Sequence, residues 1–352
     1  MLMTPGPVKL VDSVRIAQSK DMISHRAKGF EEVYWDVCER MKKGLDSEEA
    51  HVLTGSGTLG VETILSNACN KGDKILCLNN GEFGKRFADI ARVYYSTVQE
   101  EKIEQGKGWN LERAKAAIDN SNAQVLGMVY NDTAVGVTNK ASEICNYAKK
   151  KGMITVVDGV SAWPAMELSL RNFGIDFFAT GSQKAIAAPP GLAMVGISKN
   201  AVDLVEKKPA PLNYYMDLKK CRKFMLKRQT PYTPAVSLFY GLQAALDYMD
   251  ARGGIPANIE RHAKAAAYSR AWVGKNGFKV VAEPGFESNT ITGFWTDKCD
   301  DIKKRLVSEY NIETAGGMGE LKGKILRICH IGNFTQQELD TLLLAMEKIV
   351  KG

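Results

Sequence analysis

The sequence predicts an α/β protein: a large domain with a mostly parallel (mixed) sheet sandwiched by helices, followed by a smaller C-terminal α+β domain. Between residues 50 and 200, short apolar runs alternate with amphipathic helical patterns. The apolar runs lack strict alternation, as expected of strands that are buried on both faces. After the glycine pair at 253–254 the pattern changes to that of a smaller unit.

The strands of the large domain are expected at 74–78, 124–129, 153–157, 177–180 and 193–197, where Val, Ile and Leu are concentrated. Helical patterns lie at 57–70, 111–118, 142–151 and 238–249. Because strands alternate with helices, the connections should be right-handed crossovers between parallel strands.

The C-terminal part predicts strands at 278–281, 290–295 and 324–328, with helices at 300–310 and 336–350. A chain of 352 residues suits one large domain and one smaller domain. We therefore expect an N-terminal segment at 1–14 that packs near the functional site, a large domain at 15–253 and a small domain at 254–352.

The composition is that of an ordinary globular protein, with 45% apolar and 25% charged residues. The net charge of +7 is spread along the chain, and its densest basic stretch is at 219–228. We interpret that stretch as the solvated face of a helix; a basic rim that attracts anionic substrates is the alternative. Without a nucleic-acid-binding module or an apolar run of about 18 residues, we expect neither a nucleic-acid nor a membrane partner.

Seven cysteines are spread far apart, and no two are spaced as a CxxC pair. That spacing argues against a zinc site, so we expect no metal. The first ten residues contain two prolines and no long apolar run, unlike a signal peptide. Reduced thiols in a cytoplasmic protein are the simplest interpretation of these features.

A glycine-rich loop precedes the first helix, where residues 55–60 read Gly-Ser-Gly-Thr-Leu-Gly. Free N–H groups at a helix N-terminus favour an anion such as phosphate. The pattern also matches a dinucleotide fingerprint, but the strand at 74–78 is followed by Asn79 and Asn80, not by an acidic residue. A phosphate site fits better than a dinucleotide site; a turn without a ligand is the third interpretation.

Asp158 follows the apolar run at 153–157, at the carboxyl end of a predicted strand. Ligands of α/β proteins bind at that end of the sheet. A buried carboxylate needs a cationic partner, and a protonated pyridine nitrogen is one. A helix N-cap is the alternative role for Asp158.

Lys184 lies just beyond the predicted strand at 177–180, and the seven residues after it carry no charge. Lysine is rarely placed in such surroundings. Desolvation would lower its pKa and make the amine a better nucleophile. The alternative is a surface lysine whose stem alone is covered.

Together, a phosphate site, a strand-end Asp158 and a strand-end Lys184 fit one cofactor, with a phosphate, a pyridine nitrogen and an aldehyde: pyridoxal 5'-phosphate. The chain also resembles the class V aminotransferases of the alanine–glyoxylate and serine–pyruvate group, with the type I fold of pyridoxal-phosphate enzymes. The resemblance extends over nearly the whole chain. It is carried by the matching segments at 4–7, 25–26, 55–58, 84–86, 158–159, 181–184, 288–290 and 326–328.

The resemblance implies a role for each matching residue. Lys184 would form the Schiff base and act as general base, and Asp158 would pair with the pyridine nitrogen. Phe83 would stack on the ring and Thr133 would lie near the ring oxygen. Arg327 would bind the substrate α-carboxylate, and Gly6 would lie beside the substrate. The residues implied for the phosphate are Ser56, Gly57, Thr58 and Gln183.

The resemblance also implies a homodimer, in which Tyr232 or Thr233 reaches the phosphate of the neighbouring subunit. The expected reaction moves an amino group from alanine, serine or aspartate to glyoxylate, pyruvate or 2-oxoglutarate. Aspartate stays open as a donor, because Arg26 or a lysine of the other subunit could bind its second carboxylate.

Four other functions stay open from the sequence. One is a non-enzymatic binding protein that kept the fold, although intact Asp158, Lys184 and Arg327 argue against it. A cysteine desulfurase would share the fold, but it carries histidine before the lysine, where this chain has Gln183, and it needs an exposed nucleophilic cysteine. A phosphonate- or phosphoserine-type aminotransferase would also share the fold. An NAD-dependent oxidoreductase would use the loop at 55–60 but would leave Asp158 and Lys184 unexplained.

Overall fold

A computed structural model describes residues 1–351, which form an α/β architecture around a seven-stranded mixed sheet. Gly352, the last residue of the predicted small domain, lies outside the described residues. The strands are β1 (Glu49–Thr54), β2 (Lys74–Asn79), β3 (Thr97–Lys102), β4 (Val125–Val129), β5 (Asn131–Asp132), β6 (Val137–Thr138), β7 (Ile154–Asp158), β8 (Phe177–Gly181), β9 (Leu192–Ile197), β10 (Ile291–Trp295), β11 (Ala315–Gly316) and β12 (Ile325–Cys329).

Helices cover both faces of this sheet and pack on a second, smaller sheet. They are α1 (Asp12–Ala17), α2 (Lys28–Leu45), α3 (Gly57–Ala68), α4 (Glu82–Tyr94), α5 (Leu111–Asn120), α6 (Ala141–Lys150), α7 (Leu170–Phe173), α8 (Lys199–Lys207), α9 (Leu218–Met225), α10 (Val236–Asp250), α11 (Gly254–Lys275), α12 (Cys299–Tyr310) and α13 (Gln336–Lys351). No helix within residues 1–351 combines the length and apolar character needed to cross a membrane.

The large sheet has the strand order β1-β9-β8-β7-β4-β2-β3, and β9 alone runs against the other six. Neighbouring residues of one strand enter different cores: Phe178 packs on one face of the sheet and Phe177 on the other. Burial on both faces explains the continuous apolar runs. The prediction of a mostly parallel, mixed sheet between helices is confirmed.

The edge strand β3 was not predicted, because its sequence is polar. Thr97–Lys102 reads Thr-Val-Gln-Glu-Glu-Lys, and its residues are exposed or half-buried. Charged side chains are common on edge strands, since they discourage pairing with a second sheet. A search for apolar runs therefore passes over such a strand.

The smaller sheet has the order β10-β12-β11 and packs with α11, α12 and α13 around a core of its own. The predicted strand at 278–281 is not formed as a strand: it is reduced to an isolated bridge between Val280 and Phe294, flanked by hydrogen bonds from the Val281 N–H to the Gly293 carbonyl (2.8 Å) and from the Trp295 N–H to the Lys279 carbonyl (2.9 Å). Phe278 stacks on Trp272 and packs at a tilted angle against Phe294, so its ring joins the core of the smaller sheet. The boundary at 253–254 falls where α11 begins, and the domain division stays a prediction.

Candidate active site

A cavity of about 240 Å³ lies at the carboxyl end of β7 and β8. Asp158 is the last residue of β7, Lys184 follows β8 by three residues, and the two strands are parallel neighbours. Parallel strands present their carboxyl ends at one edge of the sheet, which brings these two residues together. The cavity is lined by Gly6, Ser56, Gly57, Thr58, Val61, Phe83, Arg86, Phe87, Ile90, Asp158, Val160, Gln183 and Lys184.

Lys184 is buried, and its Nζ donates a hydrogen bond of 2.7 Å to the carbonyl oxygen of Pro5. Burial lowers the pKa of Lys184 to about 8. The Ser182 hydroxyl donates a hydrogen bond to the Pro189 carbonyl, which joins the two ends of the loop that contains Lys184. A buried amine with this pKa is partly neutral near neutral pH, as a nucleophile or base requires. The side chain is not that of a surface lysine.

Asp158 is also buried, and its Oδ1 accepts a hydrogen bond of 2.8 Å from the backbone N–H of Val160. Burial raises the pKa of Asp158 to about 6. The residues that follow form turns, and the next helix, α7, begins only at Leu170. Asp158 is therefore not a helix N-cap, and within residues 1–351 its carboxylate has no ion-pair partner within 4 Å.

The N-terminus of α3 opens into the same cavity. Within residues 1–351, the N–H groups of Gly57 and Thr58 donate to no protein acceptor, and the Ser56 side chain does not cap the helix. A Cβ on Gly57 would lie 2.9 Å from Val160, so the loop requires glycine there for close packing. Free N–H groups at a helix N-terminus suit an anion.

Gln183 supplies an independent sign that this part of the cavity binds a polar group. Its Oε1 is buried and has no hydrogen-bond partner within residues 1–351. Buried polar groups in proteins are almost always hydrogen-bonded, so such an atom requires an explanation. Gln183 lines the cavity beside Ser56 and Gly57, where a bound polar group would satisfy it.

Phe83 forms a wall of the cavity, and Asp132 holds its backbone. The Asp132 carboxylate accepts hydrogen bonds from the N–H groups of Phe83 (3.0 Å), Gly84 (3.4 Å) and Ala134 (2.9 Å). Asp132 is buried, and burial raises its pKa. This role was not predicted from the sequence, because Phe83 and Gly84 lie 49 and 48 residues from Asp132 along the chain.

Arg327 lies in β12 and is buried without an acidic partner. Its Nε donates to the Gly316 carbonyl (2.8 Å) and its Nη1 to the Thr133 carbonyl (2.7 Å). No carboxylate of residues 1–351 lies within 4 Å of the guanidinium, which excludes an ion pair with these residues. Burial lowers the pKa of Arg327, as expected of a cation that lacks a counter-charge.

Two predicted residues contribute to the site differently from the others. Thr133 is buried and meets Arg327 through its carbonyl, but it does not line the cavity. Gly6 lines the cavity and contacts the Lys184 stem: a Cβ there would lie 2.7 Å from Cδ. Gly6 has a φ of +131°, in the region that favours glycine.

Tyr232 and Thr233 lie outside the cavity in the single chain. The Tyr232 hydroxyl donates to the Tyr214 carbonyl (2.7 Å), and its ring stacks on Tyr215. Thr233 is exposed. Arg26, which was considered for a second substrate carboxylate, instead donates to the Thr230 carbonyl (2.7 Å) and so supports the segment that carries Tyr232.

Comparisons with known proteins agree with this geometry. A family model of the class-V aminotransferases matches residues 14–320. An uncharacterized aminotransferase of Methanocaldococcus jannaschii is 34% identical, over 100% of this chain and 92% of that protein. The serine–glyoxylate aminotransferase of Arabidopsis thaliana is 30% identical, over 99% and 90%. The crystal structure of an alanine–glyoxylate aminotransferase from Nostoc sp. has a TM-score of 0.94 and 25% identity, over 99% and 94%.

Fold and site therefore define an enzyme that transfers amino groups between amino acids and 2-oxo acids with pyridoxal phosphate. The chain belongs to the class-V aminotransferase family. The residues fit that cofactor: the α3 N-terminus and the unpartnered Gln183 oxygen suit its phosphate, and buried Asp158 suits its ring nitrogen.

The competing functions are not favoured. All seven cysteines are free and buried, and burial raises the pKa of Cys329 to about 11. A desulfurase needs an accessible thiolate, which none of these side chains offers. The matches to aminotransferases likewise leave no support for the dinucleotide interpretation of the loop at 55–60.

Proposed function

We propose that this enzyme moves an amino group from a small L-amino acid, with alanine or serine first and aspartate as a further candidate, to glyoxylate, pyruvate or 2-oxoglutarate. The observation that carries the proposal is that the buried Lys184 amine and Asp158 carboxylate line one cavity, while the buried Arg327 guanidinium, which has no carboxylate partner, is close enough to lower the pKa of Lys184. The serine–glyoxylate and alanine–glyoxylate relatives support the choice of small donors and of glyoxylate.

We assign the cofactor contacts as follows. Gly57 and Thr58 would hold the phosphate with their N–H groups, helped by the Ser56 hydroxyl and Gln183. Phe83 would cover one face of the ring, and Thr133 would lie beside it. Asp158 would keep the ring nitrogen protonated, because its carboxylate is buried and has no other cation within 4 Å. When bound, pyridoxal phosphate supplies the electron sink for the bond changes at the substrate Cα.

Lys184 would act as the general base. Its Nζ would take the proton from the substrate Cα and return it to the cofactor carbon. A pKa of about 8 suits this task, since the amine is neutral often enough to accept a proton and basic enough to hold it.

Arg327 would bind the substrate α-carboxylate. Nε and Nη1 are held by backbone carbonyls, which fixes the plane of the guanidinium, while Nη2 has no protein acceptor within residues 1–351. A fixed guanidinium orients a carboxylate more sharply than an ammonium group does. Gly6 would lie beside the bound substrate, since it contacts the stem of Lys184.

The test is an absorption spectrum of the purified enzyme with pyridoxal phosphate, before and after L-alanine, L-serine or L-aspartate is added. We expect a cofactor band that converts with the true donor and returns with the true 2-oxo acid. Lys184→Ala should lose both the band and the turnover. The matched control is Lys208→Ala, because Lys208 is equally buried but donates to the carbonyls of Ser66 and Asn67, away from the cavity. Retained transamination in Lys184→Ala would refute the assignment.

We also propose a homodimer in the cytoplasm, with Tyr232 or Thr233 of one subunit near the phosphate of the other. Support comes from the surface beside Tyr232, where Tyr214 is 74% exposed and Tyr215 is 40% exposed. Exposed aromatic side chains are enriched where proteins meet. The seven free cysteines agree with a reducing compartment. Sedimentation of the enzyme with bound cofactor should give twice the chain mass.

A further inference from the structure

Arg86 lines the same cavity but has no role in the assignments above. It lies on α4, three residues after Phe83, and its Cζ is 4.9 Å from the centre of the Phe83 ring. Within residues 1–351 the guanidinium makes no hydrogen bond, and no carboxylate lies within 4 Å of it. Arg86 is exposed at the mouth of the cavity, so its five N–H donors are free.

Charge balance in the cavity calls for a cation. A bound phosphate monoester carries about −1.5 to −2 charges at neutral pH, while the N-terminus of a helix offers only about +0.5. Ser56, Thr58 and Gln183 are neutral. Lys184, the other cation of the lining, is needed for bond formation with the cofactor. Arg86 is then the one full positive charge that the lining leaves available.

The position of Arg86 favours the cofactor over the substrate. Arg86 lines the cavity together with Ser56, Gly57 and Thr58 from the start of α3, whereas Arg327 is not part of that lining. An arginine can keep its flat face on an aromatic ring while its edge donates to a phosphate, which a lysine cannot do. The contact with Phe83 therefore leaves the guanidinium edge free for an anion.

We propose that Arg86 is a cofactor-binding residue that supplies positive charge to the phosphate of pyridoxal phosphate, while Phe83 supports its guanidinium. The inference rests on the proposed function, since it concerns the same cavity. It adds a cationic side chain to a phosphate site otherwise built from backbone N–H groups, hydroxyls and an amide.

The test compares two probes: pyridoxal phosphate and pyridoxal, which lacks the phosphate. Their dissociation constants are measured on cofactor-free enzyme by quenching of tryptophan fluorescence. Arg86→Gln should raise the constant for pyridoxal phosphate about tenfold, the effect of one lost charge-assisted hydrogen bond. Arg86→Gln should change the dissociation constant for pyridoxal by no more than about twofold, because the lost bond is to the phosphate, which pyridoxal lacks. Arg86→Lys, which keeps the charge, should lie between Arg86→Gln and the wild type.

The matched control is Lys85→Gln, which removes one positive charge from the adjacent exposed position of α4 outside the cavity lining. It should leave both constants unchanged. An equal loss for both probes in Arg86→Gln would overturn the proposal, since Arg86 would then act only by positioning Phe83. Unchanged binding of pyridoxal phosphate would overturn it as well. If the wild type binds neither probe, the proposed function fails first, so the two failures are distinguishable.

Discussion

The Nζ atom of Lys184 donates a 2.7 Å hydrogen bond to the carbonyl oxygen of Pro5, 179 residues earlier in the chain. The N-terminal segment that carries this carbonyl is anchored at Met3, whose N–H donates to the Glu313 carbonyl (2.9 Å). Glu313 lies just before β11, which pairs with β12 at Arg327. The segment thus connects the lysine to the strands that hold the proposed carboxylate site.

We predict that Gly6→Ala lowers kcat about 100-fold, because a Cβ 2.7 Å from Lys184 Cδ would displace the amine by a fraction of an ångström or more. Steady-state kinetics and a thermal melt of the variant check this. The control is Gly277→Ala, which also replaces a glycine with positive φ but has no atom within 4 Å of the added Cβ. Equal losses of kcat in both variants would mean that backbone strain, not contact with Lys184, is responsible.

Arg327→Lys should lower kcat/KM for the amino donor about 100-fold, since a lysine loses the flat, doubly anchored fork that fits a carboxylate. The matched control is Arg305→Lys, an exchange at an arginine of α12 that pairs with Glu309 on the surface. Kinetics with alanine and with serine measure the effect. A variant that keeps its kcat/KM would move the α-carboxylate away from Arg327.

The affinity for pyridoxal phosphate should fall as the pH drops below about 6. The pKa of Asp158 is raised to about 6 by burial, so below that value the free enzyme holds a neutral carboxyl group. The protonated ring nitrogen needs the Asp158 carboxylate, so below that pH the Asp158 carboxyl group must release its proton when the cofactor binds. The dissociation constant therefore rises about tenfold for each unit by which the pH falls. Titrations of the enzyme with pyridoxal phosphate between pH 5 and pH 8 test this. Asp158→Asn should bind the cofactor weakly, and its dissociation constant should not rise further below pH 6. The same rise in that variant would mean that another group causes the pH dependence.

Mixed dimers should restore activity to two inactive variants if the site is shared between subunits. Lys184→Ala lacks the amine, and a Tyr232→Phe/Thr233→Ala double variant lacks both hydroxyls proposed for the neighbouring phosphate. After random exchange of subunits, half of the dimers contain one intact site, so about a quarter of wild-type activity should return. The activity of the mixture is compared with that of each variant alone. No gain despite proven subunit exchange would place both hydroxyls outside the neighbouring site.

Much of the site was predictable because local patterns encode it. An apolar run that ends in Asp158, a second that ends shortly before Lys184, and a glycine-rich loop before a helix each lie within about ten residues of sequence. In a mostly parallel sheet the carboxyl ends of the strands meet at one edge, so the fold class alone brings these segments together. Local periodicity likewise predicted most of the buried strands and amphipathic helices.

The rest depended on packing between distant segments. The bond from Lys184 to Pro5, the bonds from Phe83 and Gly84 to Asp132, and the anchoring of Arg327 by Gly316 and Thr133 join residues that no local pattern relates. The polar edge strand β3 shows the same limit, since its position at the exposed edge of the sheet allows a polar sequence that a search for apolar runs passes over.

The sequence by itself determined the class of fold, the cofactor type and the residues at the strand ends, because these follow from short-range patterns of burial and charge. Only the tertiary structure decided which groups lack the partner they would need: the Gln183 oxygen has no hydrogen bond, and the guanidinium groups of Arg327 and Arg86 have no carboxylate within 4 Å. Whether a polar group is satisfied depends on every atom packed around it, and those atoms come from all parts of the chain.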